Sequence, residues 1–322
     1  MKREKKMKKF IMIITGILIV LVFVIGAFII SAWAPDRPVS ELIARWAQPP
    51  SVFIKVAGMN VHLRDEGPRN DLQPIVLLHG TSSSLHTWEG WTQMLKSKRR
   101  VIRFDLPGFG LTGPSPNNVY TIESYSQFVV AVLDKLGIQR CTLAGNSFGG
   151  YVSWATAVAY PDRVKAIILV DASGYKFKSA SVPIGFQIAR IPVLNRLAAN
   201  ILPRSLIESS LKNVYGEPDD VKSDLIDLFF DITVREGNRH ALLERFKQSS
   251  PGEMAHRIAE IKVPTLILWG GRDRLIPPDI AKRFNDDIAG SQLVMFDDLG
   301  HVPQEEDPAR TVSAAEKFLG EH

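Results

Sequence analysis

The sequence predicts an α/β protein: a mostly parallel sheet with helices on both faces and a helical insertion, preceded by one apolar N-terminal helix. Three observations carry this. Short continuous apolar runs alternate with helix-period stretches, as in strands buried on both faces and joined by crossover helices. The alternation stops between Gly174 and about Ala259, where helix-like segments follow one another without a good strand. The chain also opens on a long apolar run.

From Phe10 to Pro35 no residue is charged, and most are Ile, Val, Leu, Phe or Ala. That is enough helix to cross a hydrocarbon core of about 30 Å. Lys2, Arg3, Lys5, Lys6, Lys8 and Lys9 precede it, against Glu4 alone. The 322-residue chain has a formal charge of +5, and this flank supplies all of it; the rest balances 33 basic against 33 acidic residues. The basicity therefore marks a membrane flank and argues against a nucleic-acid partner. A cleaved signal peptide has an apolar region of about 7–15 residues, shorter than this run, so an uncleaved single-pass anchor is expected. Charge bias then keeps the basic end in the cytoplasm and the rest outside, on the periplasmic or extracellular face of a bacterial inner membrane. The expected organisation is a flank at 1–9, an anchor at 10–34 and a proline-containing linker at 35–50. A core at 51–173 and 260–322 follows, interrupted by a cap at 174–259.

Within the core, Ser51–Lys55 and Asn60–Arg64 bracket Ala57-Gly58-Met59 as an opening hairpin. Pro74–Leu78, Val101–Phe104, Cys141–Ala144, Val164–Val170, Thr265–Trp269 and Leu293–Phe296 read as further strands. Ile122–Leu136 has apolar residues at 125, 128, 129, 132, 133 and 136, a helical period. The insertion holds helical segments at Ile184–Ala199, Arg204–Asn213, Val221–Thr233 and Arg239–Ser249. An insertion between two strands suits a cap over the strand ends; a purely structural subdomain is the plainer alternative. Cys141 is the single cysteine, which excludes an internal disulfide or a cysteine-rich zinc site.

Gly145-Asn146-Ser147-Phe148-Gly149 follows a strand and opens a helix. So sharp a turn leaves no room for side chains two residues either side of the serine, hence the glycines. It sets the Ser147 hydroxyl at a helix N-terminus, where backbone N–H groups favour developing negative charge. A serine needs a base. Of seven histidines, His301 lies in a loop just after the last strand, in Gly300-His301-Val302-Pro303. The imidazole in turn needs a carboxylate: Asp273, in Trp269-Gly270-Gly271-Arg272-Asp273, is the leading candidate and Asp171, ending the strand after the elbow, the second. Asp297 and Asp298 read as surface charges. In His79-Gly80-Thr81, Gly80 lets the backbone approach the substrate. The N–H groups of Thr81 and Phe148 then form an oxyanion hole, each donor worth about 3–4 kcal/mol to the transition state. His79 reads as a buried structural residue, and Asp105–Gly110, lacking a Gly-Lys-Ser/Thr ending, as a packing turn.

These motifs in this order resemble the α/β-hydrolase superfamily over roughly residues 52–320. The resemblance implies an eight-stranded sheet, a helical cap and no cofactor or metal. Serine at 147 separates the chain from haloalkane dehalogenases and epoxide hydrolases, known for an aspartate there. Asn146-Ser147-Phe148-Gly149-Gly150 is similar to the elbow of carbon–carbon bond hydrolases acting on ring-fission products. Those enzymes usually carry a Gly-Pro-Gly-type loop and a tryptophan after the histidine, where this chain has Thr81-Ser82-Ser83-Ser84 and Val302. The leading expectation is hydrolysis of hydrophobic, lipid-like carboxylic esters through an acyl-enzyme on Ser147. The alternatives are carbon–carbon bond hydrolysis, an aminopeptidase, and a catalytically silent binding protein.

Overall fold

The computed structural model describes residues 2–189 and 200–321. Eight strands form one sheet: β1 Val52–Val56, β2 Met59–Glu66, β3 Ile75–Leu78, β4 Val101–Phe104, β5 Cys141–Asn146, β6 Val164–Val170, β7 Thr265–Gly270 and β8 Gln292–Phe296. Their order is β1-β2-β4-β3-β5-β6-β7-β8. The opening hairpin pairs antiparallel, as does β2 with β4. Every later neighbour is parallel, for example Leu143 beside Val76 on one side and Ile167 on the other.

The helices are α1 Lys2–Ser31, α2 Val39–Trp46, α3 Glu89–Leu95, α4 Ile122–Lys135, α5 Phe148–Ala159, α6 Ile184–Ala189 and α7 Arg204–Val214. They continue with α8 Ser223–Val234, α9 Asn238–Gln248, α10 Asp279–Asp287, α11 Pro303–Glu306 and α12 Pro308–Glu321. Strand alternation sends successive side chains to opposite faces. Val76, Leu78, Leu143, Ile167 and Ile267 pack with α4, α5 and α10. Ile75, Leu77, Ile168, Leu266 and Leu268 pack with α3 and α12. Both faces are therefore dry, which is why these strands read as unbroken apolar runs. The carboxyl ends of the parallel strands meet at one edge, the usual place for a site in such a sheet.

α6 to α9 form the insertion between β6 and β7. The expected helix at Ile184–Ala199 is observed as far as Ala189; 190–199 lie outside the described residues.

Two boundaries differ from the sequence reading. α1 is long and apolar enough to cross a membrane, but it ends at Ser31 rather than 34. Ala34 N–H donates to Asn200 O (2.9 Å), and Leu202 N–H donates to Ala32 O (2.8 Å). Residues 32–34 thus leave the helix to pair with the insertion. Nor is 35–50 a bare linker, because it contains α2. Val39, Leu42, Ile43 and Trp46 recur at helical spacing and Leu42 is buried, a periodicity that outweighs the prolines around it. The segment is also fastened by charge: Arg37 pairs with Asp231 (3.1 Å), Arg45 with Asp227 (2.8 Å) and Asp36 with Arg239. Ala34, Leu202 and Val234 bury together beneath it.

Candidate active site

Ser147 is the junction of β5 and α5, with φ 53° and ψ −115°. A non-glycine residue in the left-handed half of φ/ψ space carries strain, and such strain gathers at functional sites. Close approach explains the flanking glycines. A Cβ on Gly145 would lie 2.2 Å from Gly149 O, and one on Gly149 would lie 2.2 Å from Leu78 O. The β3 loop also comes close to the serine, since a Cβ on Gly80 would lie 3.2 Å from Ser147 Cβ. Thr81 follows Gly80 and lines the same cavity as Ser147, while Phe148 begins α5.

His301 Nδ1 and Asp273 Oδ2 are 2.6 Å apart. The other oxygen, Asp273 Oδ1, accepts the N–H groups of Leu275 (2.8 Å) and Ile276 (3.0 Å), so the turn after β7 fixes the carboxylate. Asp171 stands beside this pair: one ligating atom each from Asp171, Asp273 and His301 lie within 4.8 Å of one another. Gly270 N–H donates to Asp171 Oδ1 at 3.0 Å, whereas Asp171 Oδ2 is buried without a hydrogen-bond partner. Burial and the neighbouring Asp273 push the Asp171 carboxyl well above the usual range, favouring its neutral form. Both acids weighed from sequence are thus adjacent to the imidazole, and Asp273 is the one hydrogen-bonded to it. Among the described residues no hydrogen bond joins Ser147 Oγ to His301; both side chains face one cavity. Such contacts are often long before substrate binds and tighten afterwards.

The cavity holds about 910 Å³. Leu206, Phe229, Leu243, Phe246 and Phe28 of α1 give it apolar walls. Arg245 of α9 also lines it, donating to Thr81 Oγ1 (3.0 Å) with its guanidinium 4.3 Å from the Phe148 ring centroid.

The insertion is tied to the histidine loop. His301 N–H donates to Val214 O (2.7 Å), and Glu306 accepts from both Gly216 N–H (2.7 Å) and Gly300 N–H (2.9 Å). Arg274 reaches Tyr215 O (2.6 Å), and the Tyr215 hydroxyl donates to Glu305 (2.7 Å). Asn146 joins elbow to loop by donating to His301 O (2.9 Å). The sequence reading did not single out Arg245, Glu305, Glu306 or this role of Asn146. Glu305-Glu306, four and five residues after His301, was the available signal.

His79 is structural, as expected. Its Nε2 accepts the Leu106 N–H (2.9 Å), so Nδ1 carries the hydrogen and donates to Gly80 O (2.7 Å). Asp105 holds its own turn by accepting Leu85 N–H and Leu111 N–H, both at 2.7 Å. A second serine–histidine–aspartate string, Ser51–His62–Asp105, spans 2.9 and 2.8 Å, but none of its members lines the cavity at Ser147.

The family model for the alpha/beta hydrolase fold matches residues 73–308. The chain belongs to the α/β-hydrolase family. As an α/β-hydrolase it is a hydrolytic enzyme, with the eight-stranded, mostly parallel sheet of that fold. It is 30% identical over 279 residues to 2-hydroxy-6-oxo-2,4-heptadienoate hydrolase of Pseudomonas putida, covering 83% of this chain and 95% of that protein. A solved meta-cleavage product hydrolase from Pseudomonas fluorescens superposes with TM-score 0.71 at 25% identity, over 84% of this α/β-hydrolase and 97% of that chain. A membrane phospholipase A of known structure shares the fold at 21% identity with TM-score 0.73, over 96% and 97% of the two chains.

Proposed function

We propose that this α/β-hydrolase cleaves hydrophobic, lipid-like carboxylic esters through an acyl-enzyme on Ser147. The observation that carries the reading is the large apolar cavity into which Ser147 and His301 open. An acyl chain gains by leaving water for such walls, and the ester carbon is then delivered to the serine. Ser147 attacks that carbon while His301 takes its proton. The Thr81 and Phe148 N–H groups hold the oxyanion. His301 returns the proton to the leaving alcohol, and water releases the acyl group by the same route. Asp273 holds the imidazole tautomer and balances its charge. The basic flank favours a cytoplasmic N-terminus, with α1 as the anchor and the catalytic domain outside.

A second reading is carbon–carbon bond hydrolysis of a ring-fission product. It is supported by the P. putida relative and by Arg245, a cation on the cavity wall suited to a substrate carboxylate. A p-nitrophenyl ester chain-length series beside a 2-hydroxy-6-oxo-dienoate, with wild type and Ser147→Ala, separates the two. The ester reading expects turnover rising with chain length and lost in Ser147→Ala; turnover of the dienoate alone supports the second reading.

A further inference from the structure

We infer that the cavity is loaded from the membrane: its occupant is a single-chain ester amphiphile whose tail enters past Phe28, from the leaflet at the C-terminal end of α1. The inference rests on the ester reading and goes beyond it by fixing the route and the kind of ester.

Phe28 belongs to the apolar helix, yet it lines the same cavity as Ser147 and His301. Its depth follows from helix geometry. Phe10 to Ile30 rises about 31 Å at 1.5 Å per residue, matching a hydrocarbon core of about 30 Å. Phe28 therefore lies within about 3 Å of the end of that run, where acyl chains give way to headgroups. Ile30 is 79% exposed and Trp33 58% exposed, an apolar side chain followed by an aromatic of the kind that settles at a membrane interface. The first charges, Asp36 and Arg37, come immediately afterwards.

Residues 32–34 keep this opening in register. The hydrogen bonds of Ala32 with Leu202 and of Ala34 with Asn200 join the helix end to the insertion, so cavity wall and anchor cannot drift apart freely. Asp36, Arg239 and His240 line the cavity as well. One end of the occupant thus meets an apolar wall level with the hydrocarbon, while charged groups stand close by for a polar head. A volume of about 910 Å³ is in the range that holds one ligand. Passing directly from lipid to this wall spares a long tail from crossing water, which a soluble short ester has no need to avoid.

The test uses the full-length chain in phosphatidylcholine nanodiscs, with p-nitrophenyl butyrate as the soluble ester and 1-monopalmitoylglycerol dissolved in the bilayer. The readout is the ratio of Ser147-dependent rates on the two. Phe28→Asp is expected to lower the long-to-short ratio at least ten-fold. Phe28→Trp, which keeps the helix apolar but narrows the opening, is expected to lower it several-fold. An unchanged ratio in both variants would overturn the route. So would butyrate turnover without cleavage of the bilayer-borne ester, which leaves the ester reading standing. Turnover of neither ester by the wild type removes both.

Discussion

Two carboxyl groups stand beside His301 in different settings. Asp273 is anchored by two backbone N–H groups and faces the imidazole, the geometry of an orienting acid. Asp171, buried against it, has its carboxyl pushed well above the usual range by burial and by Asp273. Asp273→Asn is expected to lower kcat by about 10⁴-fold, the cost of holding a catalytic imidazole in the wrong tautomer; steady-state rates on the best ester measure it. Asp171→Asn preserves an acceptor for the Gly270 N–H and removes only the ionisable proton. The unfolded carboxyl ionises above its ordinary 3.8, while the folded one resists, so Asp171 makes the wild type lose stability as pH rises. The melting temperature of Asp171→Asn relative to wild type should therefore increase from pH 4 to pH 8. A difference that stays flat or falls would mean that Asp171 is ionised in the fold. The sequence offered both acids, but choosing between them needed the packing of the β6 and β7 ends, which no local motif encodes.

At the scale of elements, the insertion is sewn to the histidine loop by Glu306, which binds Gly216 and Gly300 together. Glu306→Ala removes the acceptor of two buried N–H groups, a loss of about 1–3 kcal/mol for each group left unsatisfied. Amide exchange should quicken at residues 214–216 and 299–302, with a fall in activity; unchanged exchange there contradicts the clamp. The strands were legible because a sheet covered on both faces writes itself as apolar runs, and Val101–Phe104 and Val164–Val170 are observed with the bounds the sequence suggests. The elbow was legible because so tight a turn dictates glycine at 145 and 149. By contrast, 35–50 was misread as a linker. Its helix is only eight residues long, and partners far along the chain, Asp227 and Asp231, hold it in place. Arg245 likewise sits on an ordinary-looking charged helix, and only the fold turns it toward Thr81.

Across the whole molecule, one buried histidine contributes to the pH dependence of stability. His86 Nε2–H donates to Trp46 O (2.9 Å), and its Nδ1 accepts from the Ser84 hydroxyl (2.9 Å). Burial pushes its pKa from 6.5 down to about 4, with Arg64 and His62 adding to the effect and Asp105 opposing it. Above pH 6.5 the residue is neutral in both folded and unfolded chains. Between pH 6.5 and 4 only the unfolded chain gains the proton, so stability falls by about 3 kcal/mol over that window. Denaturant midpoints at pH 7 and pH 4 for wild type and His86→Gln check this, the variant being expected to lose the pH dependence due to this residue. Fluorophosphonate labelling of the folded chain tests the nucleophilic role of Ser147. Intact mass and peptide mapping should find one adduct, on Ser147, slowed in His301→Ala and absent from Ser147→Ala. No adduct on the folded wild type, or an equal adduct on Ser147→Ala, would exclude Ser147 as the nucleophile.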